Sequence, residues 1–119
     1  MHADFDFGLL YDMTGGDAQI VSNLLVVIKK NLIEYPSAIK QFFDNNDLEI
    51  MCKQAHKFKS SIAYLGFDKF SESLSQIELS LEENKPAEQI AAAINQMERY
   101  AKETLQEVEE ELVRLATMG

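Results

Sequence analysis

The stretch LEIMCKQAHKFKSSIAYLG, residues 48–66, decides the fold class of this protein. Its apolar side chains recur at alternating steps of three and four residues, at Leu48, Met51, Ala55, Phe58, Ile62 and Leu65. This spacing places them on one face of an α-helix, which completes a turn in about 3.6 residues. Gly66 follows where a left-handed residue commonly ends a helix. The stretch therefore predicts an amphipathic helix that buries one face.

A longer helix is predicted upstream, beginning after Asp17, because aspartate is a favourable N-cap residue. Its apolar residues again recur at steps of three and four. They are Ile20, Leu24, Val27 or Ile28, Leu32, Ile39 and Phe42 or Phe43. Pro36 interrupts this pattern and lacks a backbone N–H. We therefore expect the helix to kink there or to split near Tyr35.

The N-terminal residues predict a short additional helix. Phe5, Phe7, Leu9 and Leu10 precede the pair Gly15–Gly16, which is typical of a turn that closes a helix. His2 is too isolated to complete a metal site with the chain's other histidine, His56.

Two more helices are predicted after Gly66. Asp68 is expected to cap the first, which would end near Glu83–Asn84. Its inner face comprises Phe70, Leu74, Ile77 and Leu81. Pro86 suits the first turn of the last helix. The inner face of that helix comprises Ile90, Ile94, Met97, Ala101, Leu105 or Thr104, Val108, Leu112 and Leu115.

These elements predict an all-α fold. No segment alternates apolar and polar residues for long enough to indicate a strand. Four long helices with one apolar stripe each bury those stripes most simply in an antiparallel up-and-down four-helix bundle. With the short N-terminal helix added, the 119 residues are expected to form one domain spanning residues 1–119.

Charge and hydropathy exclude several classes of function. The net charge of −9 argues against a nucleic-acid partner. The longest apolar run, Leu24–Ile28, is far shorter than the roughly 18 residues of a membrane span, and the N-terminus does not resemble a signal peptide. We therefore expect a cytoplasmic protein without a membrane partner. Cys52 is the only cysteine and is interpreted as a small core residue.

The charged residues are unevenly distributed. Lys53, Lys57 and Lys59 form a small basic island in an acidic chain. An acidic run, Glu107 and Glu109–Glu111, is predicted to be a solvated face of the last helix. Arg114 is available there to pair with Glu110 or Glu111.

His56 is the candidate site residue in the quoted stretch. It lies about 100° around the helix from the core position Ala55 and should reach solvent. Residues three and four positions away share its face, namely Lys53, Lys59 and Ser60. A neutral imidazole has a lone pair for attack on phosphorus, and a neighbouring lysine would stabilise the incoming phosphoryl oxygens. By pattern alone, however, a surface histidine is most often an ordinary solvated residue.

The segment AHKFKSSIAYLG, residues 55–66, resembles the pattern A-H-x-L-K-[GS]-[SA]-x-x-x-[LIV]-G of the histidine phosphotransfer (HPt) family of two-component phosphorelays. Phe58 and Ser60 replace the more usual leucine and glycine. The resemblance extends to Gly16–Asp17, to Asn46–Asp47 and to the helix containing residues 74–78, and so covers most of the chain.

The resemblance implies a role for each matching residue. His56 would be the phosphoacceptor through Nε2, and Lys59 would stabilise the phosphoryl charge. Glu78 would orient the imidazole by accepting a hydrogen bond from Nδ1, although a solvated helix residue is an equal alternative. Lys53, Lys57 and Ser60 would contact or guide a partner, and Leu9 is a candidate for an apolar docking surface.

The resemblance also implies the partners. His56 would accept a phosphoryl group from a phospho-aspartyl receiver domain and relay it to another receiver. The partners would be response-regulator receivers and a hybrid sensor histidine kinase. The chain would act as a monomeric phosphocarrier rather than an enzyme. It would need no metal or cofactor of its own, because the receiver supplies Mg²⁺. No motif of an autonomous kinase or hydrolase occurs in the sequence.

Two other interpretations stay open at this point. A helical module that binds a receiver or sensor kinase without carrying phosphate would have the same bundle and an inert His56. A kinase dimerisation domain would require a neighbouring ATP-binding domain, whose glycine-rich boxes are not in this sequence. Met1 and the length favour a free-standing protein over a piece of a hybrid kinase. The sequence does not identify the cognate kinase, the regulator, the pathway output or the organism.

Overall fold

The computed structural model describes residues 7–118, which form five α-helices. They are α1 (Gly8–Met13), α2 (Ala18–Asp44), α3 (Leu48–Ile62), α4 (Asp68–Glu78) and α5 (Ala87–Met118), with a 3₁₀ turn at Ala63–Leu65. The described residues contain no strand, as the sequence predicted. His2 and Phe5, which the sequence interpretation used, lie outside them.

The four long helices pack in a ring in which α2 contacts α3, α3 contacts α4, α4 contacts α5, and α5 returns to α2. The 32 residues of α5 would extend for about 48 Å, which matches the 49 Å length of the molecule. The core lies inside the ring and includes most of the predicted inner faces of α3 and α5, with Thr104 rather than Leu105 at the fully buried position. Leu48 and Leu112 are partly buried and pack against this core. The predicted four-helix bundle with a short N-terminal helix is confirmed.

Aromatic side chains hold α3 between its two neighbours. The Phe58 ring stacks on Tyr35 of α2 at 5.1 Å and meets Phe70 of α4 edge-on at 5.4 Å. Phe67 extends the cluster to Tyr100 of α5. These contacts determine which face of α3 is buried.

Of the two outcomes expected at Pro36, a kink or a split, the split is wrong, because the helix is continuous from Ala18 to Asp44. Pro36 is a buried residue of the core stripe, so its ring packs in the interior while one backbone hydrogen bond is lost. The predicted stripe of α2 is also displaced at its N-terminal end. Ile20 and Leu24 are exposed, and their neighbours Val21 and Leu25 are buried instead. Of the two alternatives Val27 and Ile28, Ile28 is the buried one.

Helix α4 ends earlier than predicted, at Glu78, and residues 79–84 form turns. Leu81 is consequently exposed rather than inside.

Asp17 caps α2 as predicted, accepting hydrogen bonds from the backbone N–H groups of Gln19 and Ile20. Asp68 is the first residue of α4 rather than its cap, and Asp47 precedes α3 without a side-chain capping bond. Gly66 is left-handed (φ +67°), as expected.

Helix α1 is attached to the C-terminal part of α5 by a polar cluster. The Tyr11 hydroxyl donates to the Glu111 carboxylate and accepts from Arg114 Nη2 at 2.7 Å. Arg114 Nε donates to Glu111 Oε1 at 2.8 Å, so the partner of Arg114 is Glu111 rather than Glu110. The side chain of Glu111 is only 13% exposed, which corrects the prediction that the whole acidic run is solvated.

Replacing Tyr11 by Phe should lower the free energy of unfolding by roughly 0.5–1.5 kcal/mol, because it removes the hydroxyl that joins α1 to α5. Urea unfolding followed by circular dichroism would measure the change. Tyr64→Phe is the matched control, because Tyr64 is 43% exposed. Equal stability of Tyr11→Phe and the control would show that the cluster does not stabilise the protein.

Candidate functional site

His56 lies on the outer surface of α3, one residue after the fully buried Ala55 and two before Phe58. Its side chain is 61% exposed, which confirms the prediction that it reaches solvent. Because Phe58 is held by α2 and α4, α3 cannot rotate to bury His56 without exposing aromatic surface. The packing of the bundle thus keeps the imidazole accessible.

Glu78 at the end of α4 contacts the imidazole. Its Oε2 atom lies 2.9 Å from His56 Nδ1. An ionised carboxylate only accepts hydrogen bonds, so the proton belongs on Nδ1. In the neutral imidazole the lone pair is then on Nε2, the nitrogen that would attack a phosphoryl group.

Lys59 contacts the other oxygen of the same carboxylate. Its Nζ atom is 2.7 Å from Glu78 Oε1, and it donates a hydrogen bond to Ser75 Oγ at 3.3 Å. His56 and Lys59 are three residues apart on α3, and Ser75 and Glu78 are three apart on α4. Each pair therefore shares a helix face, and the contact between the two helices brings the pairs together.

The charge at the centre of this cluster is negative. The hydrogen bond from Lys59 is the main cause that lowers the pKa of Glu78, and His56 lowers it further against the opposing effect of burial. Glu78 is 24% exposed and Lys59 is 30% exposed, so solvent screens their interaction only in part. Glu78 is therefore an anion at neutral pH that accepts a hydrogen bond from His56 and forms an ion pair with Lys59.

The other predicted residues surround this cluster less closely. Lys53 is paired with Glu49 at 3.4 Å, and Lys57 is exposed. Ser60 Oγ donates to the backbone carbonyl of His56 at 3.2 Å. Leu9 is 46% exposed on α1, which contacts the 3₁₀ turn that continues α3.

Two residues near the site make contacts that the sequence analysis did not predict. Ser75 had no predicted role, although its position three residues before Glu78 was a usable signal. Cys52, interpreted as a core residue, is half-buried and donates a weak hydrogen bond from Sγ to the Ile77 carbonyl at 3.4 Å. It lines a surface depression together with Lys53, His56, Lys57 and Glu78.

The site presents an imidazole on an open surface rather than in an enclosed cavity. Among residues 7–118, no group of three or more His, Cys, Asp or Glu side chains is placed to hold a metal ion. Over the same residues, no helix has the length and apolar character that crossing a membrane requires.

The fold and His56 together define the class of protein, an all-α bundle with a solvent-facing histidine beside a lysine. The sequence model of the Hpt domain family matches residues 23–117. The chain therefore belongs to the Hpt domain family. Comparison with curated proteins and comparison with solved structures gave no match.

Membership in this family establishes the general function. Hpt domains carry out histidine phosphotransfer in two-component phosphorelays, where they interact with receiver and kinase domains. They are phosphocarrier modules rather than enzymes with a catalytic site of their own. The resemblance found in residues 55–66 is thus confirmed at the level of the family.

Glu78→Gln should destabilise the protein at neutral pH by roughly 1 kcal/mol, because it removes the partly screened charge that Lys59 and His56 contact. A carboxyl group whose folded-state pKa is lowered stabilises the fold fully above its unfolded-state pKa. That contribution disappears as the pH falls through the folded-state value. The difference from wild type should therefore be complete at neutral pH and should shrink as the pH falls below about 4.5.

Urea unfolding of both proteins at neutral and acid pH would measure this difference. Glu72→Gln is the matched control, because it removes an exposed carboxylate from the same helix. A deficit for Glu78→Gln that is the same at both pH values would contradict an electrostatic origin.

Proposed function

We propose that His56 accepts a phosphoryl group from the phospho-aspartyl residue of a receiver domain and passes it to an aspartate of another receiver. One observation carries this proposal: Glu78 Oε2 contacts Nδ1 of a 61% exposed imidazole at 2.9 Å, which leaves Nε2 facing solvent and favours the tautomer whose lone pair is on Nε2. The nucleophile is thereby oriented before a partner arrives. Family membership supports phosphotransfer in general, and the geometry supports His56 as its residue.

The chemical step exchanges one bond for another. The Nε2 lone pair attacks phosphorus, the Nε2–P bond forms, and the P–O bond to the aspartate breaks and leaves a carboxylate on the receiver. The imidazole keeps its Nδ1 proton and gains positive charge on the ring. Glu78 stabilises that charge through the same 2.9 Å contact, and the reverse sequence delivers the group to the second receiver.

Lys59 would stabilise the three oxygens of the transferred group. Its ammonium is already held on the side of the cluster that faces α4, within 2.7 Å of Glu78. A lysine side chain is long and flexible, so the ammonium can move from this resting contact towards phosphoryl oxygens near Nε2. Most of the charge stabilisation, including Mg²⁺, would come from the receiver, and this chain would need no metal of its own.

The partners would be response-regulator receivers and a hybrid sensor kinase, each docking on the surface around α3. Lys57 and, more weakly, the Glu49-paired Lys53 would attract an acidic receiver cleft. Ser60 is small and bonded to its own helix, which leaves room for a partner backbone. Leu9 on α1 would add apolar contact.

We propose that residues 1–119 act as a single domain and as a monomer, because one bundle contains His56, Lys59, Ser75 and Glu78 together.

The alternative is a helical interaction module in which His56 is inert. A packed or ion-paired His56 would favour that alternative, and His56 does contact Glu78. This contact involves Nδ1 and leaves the imidazole mostly exposed, so it supports an oriented nucleophile better than a purely structural pair. Phosphotransfer by His56 is therefore the function that we propose.

His56→Gln should abolish phosphoryl acceptance and change the free energy of unfolding by less than about 0.5 kcal/mol, because the side chain is at the surface. The assay measures acid-labile radiolabel transferred from a phosphorylated receiver to wild type and to the variant. Label on wild type alone would support His56 as the acceptor. A large loss of stability would show that His56 is structural, and no label on either protein across several receivers would favour the interaction module.

Lys59→Ala should slow single-turnover transfer by roughly 10- to 100-fold, because it removes a cation that acts on the developing phosphoryl charge. The bundle should stay folded, since Lys59 is on the surface of α3. Lys102→Ala, which removes an exposed lysine from α5, is the control. An unchanged rate for Lys59→Ala would remove this residue from the mechanism.

A further inference from the structure

The two oxygens of the Glu78 carboxylate contact different partners. Oε2 accepts from His56, and Oε1 contacts Lys59. An ammonium group is a compact charge that can contact either oxygen of a carboxylate with little difference in energy. Without another constraint, Lys59 would compete with the imidazole for Oε2.

Ser75 provides such a constraint. Its hydroxyl oxygen accepts a hydrogen bond from Lys59 Nζ at 3.3 Å. An ammonium has three N–H donors. One N–H is directed at Ser75, and the ammonium lies 2.7 Å from Glu78 Oε1 as an ion pair, so the group retains donor capacity for a phosphoryl oxygen. Because serine is neutral, it directs the ammonium without neutralising its charge.

We propose that Ser75 is a positioning residue that keeps Lys59 on Oε1 of Glu78 and so reserves Oε2 for His56 Nδ1. Ser75 does not touch the imidazole and acts only through Lys59 and Glu78. Loss of its hydroxyl frees the ammonium to bridge both carboxylate oxygens, which weakens the Nδ1 contact. The imidazole then spends more time with its proton on Nε2, where the lone pair is unavailable for attack.

This proposal deepens the proposed function, because it assumes that Nε2 of His56 is the nucleophile. Its first consequence is nevertheless independent of phosphotransfer, since it concerns the position of a proton in the resting protein. The two ideas can therefore fail separately.

The first measurement is ¹⁵N NMR of the His56 ring, which distinguishes the Nδ1–H tautomer from the Nε2–H tautomer. It compares wild type, Ser75→Ala, Ser75→Thr and Ser71→Ala. Threonine retains the hydroxyl, and Ser71 lies one turn earlier on the same helix with similar partial burial. We expect a larger Nε2–H fraction in Ser75→Ala alone. Identical ring shifts in Ser75→Ala and wild type would overturn the proposal.

The second measurement is single-turnover transfer from a phosphorylated receiver to the same proteins. Ser75→Ala should be slower by roughly 2- to 10-fold, the effect of one lost hydrogen bond on a rate, and Ser75→Thr should recover most of it. In a Lys59→Ala background the Ser75→Ala change should have no further effect, because Ser75 acts through Lys59. An equal slowing in both backgrounds would overturn the proposal.

A failure of the proposed function gives a different result. In that case wild type takes no label from any receiver, whereas the ¹⁵N comparison still tests Ser75. The unfolding midpoints of wild type, Ser75→Ala, Ser75→Thr and Ser71→Ala are also measured. A Ser75→Ala protein that is slower only in proportion to a loss of folded material would show a structural role and would also overturn the proposal.

Discussion

The burial of Phe58 is the interaction on which the arrangement of the site depends. Its ring is enclosed between Tyr35 of α2 and Phe70 of α4. Burying a phenylalanine side chain completely contributes about 1.5–3 kcal/mol, and a rotation of α3 about its axis would lose that contribution. With the rotation of α3 set, His56 faces solvent and Lys59 faces α4 without needing contacts of their own to hold them there.

The polar cluster then depends on one carboxylate. Lys59 and His56 lower the pKa of Glu78 and so stabilise its ionised form, and the carboxylate contacts both of them. A single anion that serves two donors makes their positions interdependent, so a displacement of Lys59 affects the proton on His56. This coupling is why a serine that contacts only the lysine has consequences for the histidine. It also explains how the His56 imidazole can be oriented on an open surface, without an enclosed cavity.

Prediction from sequence succeeded where the apolar pattern is narrow. The stripe of α3 and that of α5 each leave little choice of buried face, and both were assigned correctly. The N-terminal half of α2 is different, because Ile20, Leu24 and Val27 lie beside Val21, Leu25 and Ile28. The apolar residues there cover such a wide arc of the helix surface that their spacing does not show which of them face the core. The periodicity likewise did not show that α2 continues through Pro36, since the burial of its ring depends on packing with parts of the chain that are remote in sequence.

The sequence alone determined the all-α class, the start of the histidine helix at Leu48 and the solvent-facing position of His56, because these depend on periodicity within one segment, whereas the change to a 3₁₀ turn after Ile62 was not predicted. It also identified Glu78 as a candidate partner of His56 through the family resemblance. Only the tertiary structure decided which oxygen of Glu78 meets which donor, that Ser75 holds Lys59, and that Tyr11 joins α1 to α5. Those contacts join residues 16 to 100 positions apart in the chain, and their geometry depends on how the helices are rotated and packed.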